Sequence, residues 1–131
     1  MQNKPNSKLK KLFLIDGLGA LLSIFFLSVV LTYYESVFGI PKSTLYFLAF
    51  WPFLFVLYDL YCYYKMENKA GLFLKGIAYA NITYCILSIA TAFYHSSTIT
   101  HFGWMYIVLE IFIVIILVKI ELKVAKDQTP N

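Results

Sequence analysis

Between Leu12 and Leu122 the chain consists of four long apolar stretches separated by three short polar connections. That pattern decides the solvent in which it folds. A bilayer core of roughly 30 Å takes about 20 helical residues to cross. The stretches 12–34, 44–64, 72–94 and 101–122 each reach that length. Lipid offers no partners to backbone N–H and C=O groups, so a spanning segment must pair them internally, in a helix or a closed barrel. A barrel needs alternating polar and apolar positions, and runs such as Leu18–Leu22 and Ile111–Val118 do not alternate. The sequence therefore predicts an all-α, polytopic membrane protein. Its architecture is a four-helix transmembrane bundle that forms a single domain over residues 1–131.

Composition agrees with this reading. Hydrophobic residues make up 60% of the chain and charged residues 14%, against about 45–50% and 25% in soluble domains. The lipid bilayer is thus the first expected partner. The formal net charge of +4 reports threading rather than a polyanionic ligand, and no nucleic acid is expected. All eleven basic residues are lysines. Lys4, Lys8, Lys10 and Lys11 precede the first stretch, Lys65, Lys69 and Lys75 surround the second connection, and Lys119, Lys123 and Lys126 close the last. Only Lys42 lies in another connection. Because basic residues stay with cytoplasmic loops, both chain ends and the second connection face the cytoplasm, an N-in/C-in topology. The basic start followed by an apolar stretch also resembles a signal peptide. That stretch, however, exceeds the usual span of about 7–15 residues, and no small-x-small cleavage site follows Val30, so it is read as retained.

Punctuation between the stretches is ordinary. Gly39 and Pro41 end the first, Ser43 or Thr44 can cap the second, Asn68 and Gly71 divide the second from the third, and Thr100 can cap the fourth. Short tails at Gln2–Ser7 and Asp127–Asn131 read as disordered. Tyr33, Tyr34, Tyr46, Tyr94, Trp104 and Tyr106 form an outer aromatic belt, and Tyr58, Tyr61, Tyr63 and Tyr64 an inner one. Gly19, Ala20 and Ser23, and the row Gly76, Ala80, Ser88 and Ala92, are expected as close contact seams, since small residues let helices approach in lipid. Pro52 removes a helical donor near the middle of the second stretch. Cys62 and Cys85 differ in depth by roughly 15–17 Å at 1.5 Å per residue, too far for a disulfide.

Charged groups inside the stretches carry most of the functional information, because each costs about 2.5–3.5 kcal/mol at a helix centre on insertion scales. Counted from the apolar edges, Asp16, Asp59, Lys75, Lys119 and Glu121 lie near the cytoplasmic boundary. They read as a polar layer in which Asp16 or Asp59 pairs with Lys75 or Lys119. Glu110 lies about nine residues into the last stretch, with no lysine at its depth, and a carboxyl group there is costly to ionise. Asn81 and Tyr84 lie at a similar depth and can bond it. Glu110, Asn81 and Tyr84 are therefore the candidate proton, cation or interhelical polar site. His95 and His101 flank the third connection without further ligands, so no metal is expected. No haem-ligating histidine lies within a stretch, and no nucleophile–base set, phosphate loop or nucleotide motif is present. Neither a cofactor nor an enzymatic activity is expected.

The segments LFLIDGLGALLS (12–23), FGIPKSTLYFLAF (38–50) and IAYANITYC (77–85), with the stretch from Glu110 to Glu121, resemble a group of small, uncharacterised four-span integral membrane proteins of Bacteroidetes-type bacteria. The resemblance implies a multi-pass protein of the bacterial inner (plasma) membrane. In size and span number the chain is also similar to small multidrug transporters. It departs from them in its central carboxylate, Glu110, which lies in the fourth stretch rather than the first. Two functions follow as expectations. One is a small structural or accessory membrane subunit, acting through contacts with itself as a homo-oligomer or with another membrane protein. The alternative is a proton- or cation-coupled small-solute transporter using the midplane carboxylate.

Overall fold

The computed structural model describes residues 3–65 and 70–128, and every element among them is helical. Asn68, Lys69 and the chain ends at 1–2 and 129–131 lie outside the described residues. Helix α1 (Asn3–Phe25) continues through a π-helical turn (Phe26–Val30) into α2 (Leu31–Tyr33). A single turn, α3 (Glu35–Phe38), precedes α4 (Lys42–Lys65), α5 (Ala70–Tyr94) and α6 (His101–Gln128). Three runs, Leu9–Tyr33, Lys42–Lys65 and Gly71–Tyr94, are long and apolar enough to cross a membrane. Their outward faces carry large apolar side chains, among them Leu18, 57% exposed, and Ile86, 64% exposed.

The helices overrun the apolar stretches. The tails expected to be disordered are helical over Asn3–Ser7 and at Asp127–Gln128. Nothing between Asn3 and Leu12 breaks a helix, because Pro5 lies in the first turn, where its missing N–H has no intrahelical bond to lose. The π-helical turn is not legible in the sequence. There the Leu31 N–H bonds the Phe26 carbonyl, and Thr32 Oγ1 donates to the Leu27 carbonyl at 2.9 Å, so a hydroxyl takes up an acceptor that the widened turn leaves over.

Packing divides the bundle into two antiparallel pairs, α1 with α4 and α5 with α6, while α1 meets α5 and α6 only sparsely. Gly17 lets α1 approach α4 closely, since a Cβ there would stand 3.4 Å from the Asp59 Cβ. Gly76 accommodates the Tyr58 hydroxyl, which donates to the Phe73 carbonyl at 2.7 Å. Gly19, expected in a contact seam, faces nothing within 4 Å. Two apolar cores close the bundle at its ends. Leu9, Phe13, Cys62, Leu74, Ile77 and Val124 pack at the end where α1 begins and α6 finishes. Leu27, Leu31, Leu45, Leu48, Ala92 and Ile107 pack at the other. Both cysteines are free and buried.

The connections at that second end are pinned to each other. The Thr100 N–H bonds the Phe38 carbonyl at 3.1 Å, the Thr98 hydroxyl donates to the Gly39 carbonyl at 3.1 Å, and Thr44 Oγ1 lies 2.8 Å from His95 Nε2. Thr100 Oγ1 also accepts the Gly103 N–H at 3.2 Å, capping α6. Gly39 makes the crossing possible: its φ of +75° is left-handed, and a Cβ there would collide with the Thr98 carbonyl oxygen. Gly39→Ala is therefore expected to destabilise the folded protein by about 1–3 kcal/mol, the range for overpacking. Gly19→Ala should leave the thermal midpoint in detergent nearly unchanged, and comparing the two melting curves checks both.

Candidate functional site

Each of the four carboxyl groups that the sequence places within a span turns into the bundle. Asp16, Asp59, Glu110 and Glu121 are at most 9% exposed. The cause is elementary: lipid solvates neither a carboxylate nor a carboxylic acid, so the helix faces that carry them pack against one another. Two tiers result.

The first surrounds Glu110. Helix α6 places it nine residues beyond His101, about 14 Å along the axis, and three neighbours converge on it. Ser23 Oγ on α1 donates to Oε2 at 2.8 Å. The Tyr84 hydroxyl on α5 lies 3.3 Å from Oε1 and 3.2 Å from Oε2. Tyr106, one turn earlier on α6, places its hydroxyl beside the same carboxyl group. Glu110 thus ties α1, α5 and α6 together. Of the partners expected for it, Tyr84 is present and Asn81 is not. Ser23 reads as a packing residue in the sequence, and Tyr106 as a member of the outer belt. Their spacing is the signal that could have found them: Tyr106 is four residues from Glu110, and Ser23 is two turns from Asp16 on the same face of α1.

The second tier unites Asp16 (α1), Asp59 (α4) and Glu121 (α6) with Asn81 (α5). Asn81 Nδ2 donates to Asp16 Oδ1 at 2.8 Å, which explains its absence from Glu110. It lies three residues before Tyr84, about one helical turn nearer the chain-terminal end. Asp16 stands within side-chain hydrogen-bonding reach of both Asp59 and Glu121. The pairing of Asp16 or Asp59 with Lys75 or Lys119 is not found. Asp16 Oδ2 and all four carboxyl oxygens of Asp59 and Glu121 are buried with no hydrogen-bond donor. Lys119 is exposed and Lys75 half-buried. The expected boundary layer is instead an internal cluster, because α1 begins nine residues before Leu12 and α6 continues six residues past Leu122. Those added turns supply an apolar core, including Leu9 and Val124, between the cluster and the chain-terminal end.

A cavity of about 260 Å³ connects the tiers. Asp16 and Asn81 line one region of it, and Ser23, Tyr84, Tyr106 and Glu110 another, with Ala20, Pro52, Phe55 and Val114 among the apolar walls. On the side between α1 and α6 its lining residues Gly19, Leu22, Leu109 and Ile113 are exposed, so the cavity opens sideways, between those two helices. An apolar cavity of about 150 Å³ holds benzene, so this one admits a somewhat larger small molecule or several waters. Chemically the site offers carboxyl groups that can take a proton or a cation, beside hydroxyl groups that can donate to an anionic oxygen. Among the described residues no group of three or more His, Cys, Asp or Glu side chains is arranged to hold a metal ion.

If Glu110 contributes as interhelical glue, removing its donors weakens the fold measurably. Ser23→Ala and Tyr84→Phe are each expected to cost about 0.6–2 kcal/mol, the range for hydrogen bonds between membrane helices. Either substitution should cost little more once Glu110→Gln is present. A double-mutant cycle on unfolding in detergent measures that coupling.

No protein-family model, curated protein or solved structure matches this chain.

Proposed function

We propose that the chain crosses a bacterial inner membrane four times, with both ends in the cytoplasm, and couples movement of a small solute to a proton or cation at Glu110. Support for the fourth crossing comes from α6. From Phe102 to Val118 its only charged residue is Glu110, which is turned inward, while Phe112 (63% exposed), Val108 and Leu109 (60% each) point outward. Support for the orientation comes from the lysines, ten of which fall before the first stretch, around the second connection or at the end of the fourth stretch, as expected of cytoplasmic segments. Labelling with a membrane-impermeant maleimide checks the threading, since both native cysteines are buried. Ser97→Cys is expected to react in intact cells and Lys126→Cys only after permeabilisation. The reverse pattern, or reaction of both in intact cells, removes the topology.

The observation that carries the transport reading is the cavity that touches Asp16 and Glu110 together and opens between two helices that barely meet. An intramembrane carboxyl group beside a solute-sized space is the usual mark of a substrate or ion pathway. Its neighbours match that task, because Ser23, Tyr84 and Tyr106 can hold the negative charge left when a proton departs. The competing reading, a structural or accessory subunit, draws on a different observation: Glu110 and its partners bridge three helices, as a purely structural pin would.

Proteoliposome flux separates the two. On the transport reading, a proton gradient drives uptake of small solutes, and Glu110→Gln reduces it to background while the protein remains folded. Gly19→Leu, at the open side of the cavity where nothing lies within 4 Å, should also suppress flux without lowering the melting temperature. Silence of the parent protein toward protons and solutes alike, with full stability, leaves the accessory role.

A further inference from the structure

We propose that Asp16, Asp59 and Glu121, together with Asn81, form a second proton-binding site, in which three carboxyl groups share two protons around Asp16 as the common acceptor. The site is separate from Glu110 and does not depend on the transport reading. Its first support is burial without partners. Asp16, Asp59 and Glu121 are 3%, 2% and 0% exposed, and five of their oxygens find no donor. Three ionised carboxylates in that setting would be a concentrated negative charge with nothing to balance it. Lys119 is exposed and Lys75 only half-buried, and neither supplies a hydrogen bond to those oxygens. Protons on two of the acids remove most of that charge, and among the described residues no group of three or more His, Cys, Asp or Glu side chains is arranged to hold a metal ion instead.

Geometry then assigns the roles. The Asn81 side-chain N–H can only donate, and it points at Asp16 Oδ1 from 2.8 Å, so Asp16 is an acceptor there. Asp16 is also within hydrogen-bonding reach of Asp59 and of Glu121. Two carboxyl groups bond each other only when one of them carries the hydrogen. The consistent arrangement has the Asp59 and Glu121 acids donating to Asp16. One negative charge then remains, held by three donors from three other helices, as in carboxyl pairs that share a proton because both cannot ionise at close range. Every helix that packs here contributes: Asp16 from α1, Asp59 from α4 with Tyr58 and Cys62 close by, Asn81 from α5, and Glu121 from α6.

Of the three carboxyl groups only Asp16 also lines the large cavity. Asp59 borders a separate pocket of about 80 Å³ between α1 and α4, whose other lining residues are apolar apart from Tyr63. A proton therefore leaves in two transfers. An acid O–H on Asp59 or Glu121 passes its hydrogen to Asp16, and Asp16 passes it to a water molecule in the cavity, which carries the proton away as hydronium. One proton then remains on the trio, and uptake from the cavity restores the second.

Infrared spectroscopy of the full-length protein in lipid tests this at neutral pH, where carboxyl groups in water are ionised. In Glu110→Gln, absorption from protonated carboxyl groups is expected to persist. Adding Asp59→Asn or Glu121→Gln to that background should lower it. Asp16→Asn should keep it but move it to higher wavenumber, because the charged acceptor is gone. Should the added substitutions prevent folding, the Glu110→Gln spectrum still decides. Absence of protonated-carboxyl absorption from folded Glu110→Gln overturns the proposal. So does its disappearance when sodium or calcium is added, which would make the trio a metal site.

Discussion

A carboxyl group inside a bilayer has few tolerable positions, and in this chain that constraint orders the bundle. At the membrane surface it can reach water or headgroups. Deeper, it must face another helix that offers a donor, a proton or a countercharge. Asp16, Asp59, Glu110 and Glu121 all take the second course. Each thereby fixes the rotation of the helix that carries it, since a helix has only one face that can present a given residue inward. Lipid supplies no hydrophobic drive between helices. The polar seam is therefore more than decoration on a packed core: it selects which faces of α1, α4, α5 and α6 meet.

Small residues complete that selection where backbones must come close. Gly17 admits the Asp59 side chain against α1, and Gly76 admits the Tyr58 hydroxyl against α5. Gly39 and Gly103 leave room at the pinned connections, where a Cβ would collide with a carbonyl oxygen of a neighbouring segment. The exception is Gly19, which meets nothing. Its missing side chain leaves space at the cavity rather than enabling a contact. The same residue type thus serves opposite ends, and spacing alone does not tell them apart.

Helices are legible in the sequence because apolar stretches of bilayer length admit no other structure, and the inward turn of Glu110 follows from its depth. The partners are harder to read, for a physical reason. Depth in the sequence is measured from the edges of apolar stretches, whereas helices end where backbone bonding stops. Because α1 starts at Asn3 and α6 runs to Gln128, Asp16 and Glu121 lie about two turns further inside than hydropathy implies. Lysines that share their level by hydropathy are left at the periphery. Depth misplaces Asn81 for a related reason. It lies at nearly the depth of Tyr84, but three residues of helix are enough to move a side chain from the Glu110 tier to the Asp16 tier. The π-helical turn at Phe26–Val30 has no signature among plain apolar residues, and it alters the facing of everything beyond it on that helix.

The placement of the two apolar cores limits how anything can reach the buried carboxyl groups. Leu9, Phe13 and Val124 with their neighbours lie between the Asp16 cluster and the chain-terminal end, while Leu31, Leu45 and Ile107 lie between Glu110 and the opposite end. A proton or solute travelling along the bundle axis would have to open either core, which means separating tightly packed helix pairs. The sparse contact between α1 and α6 presents a smaller barrier, because the cavity already opens there. Any exchange with the site therefore proceeds from the α1–α6 side unless the pairs α1–α4 and α5–α6 rock against each other. Such rocking would break few contacts at the seam, but it would pull Ser23 from Glu110 and Asn81 from Asp16. The two hydrogen bonds that hold the tiers are thus also the bonds that movement of the pairs must release.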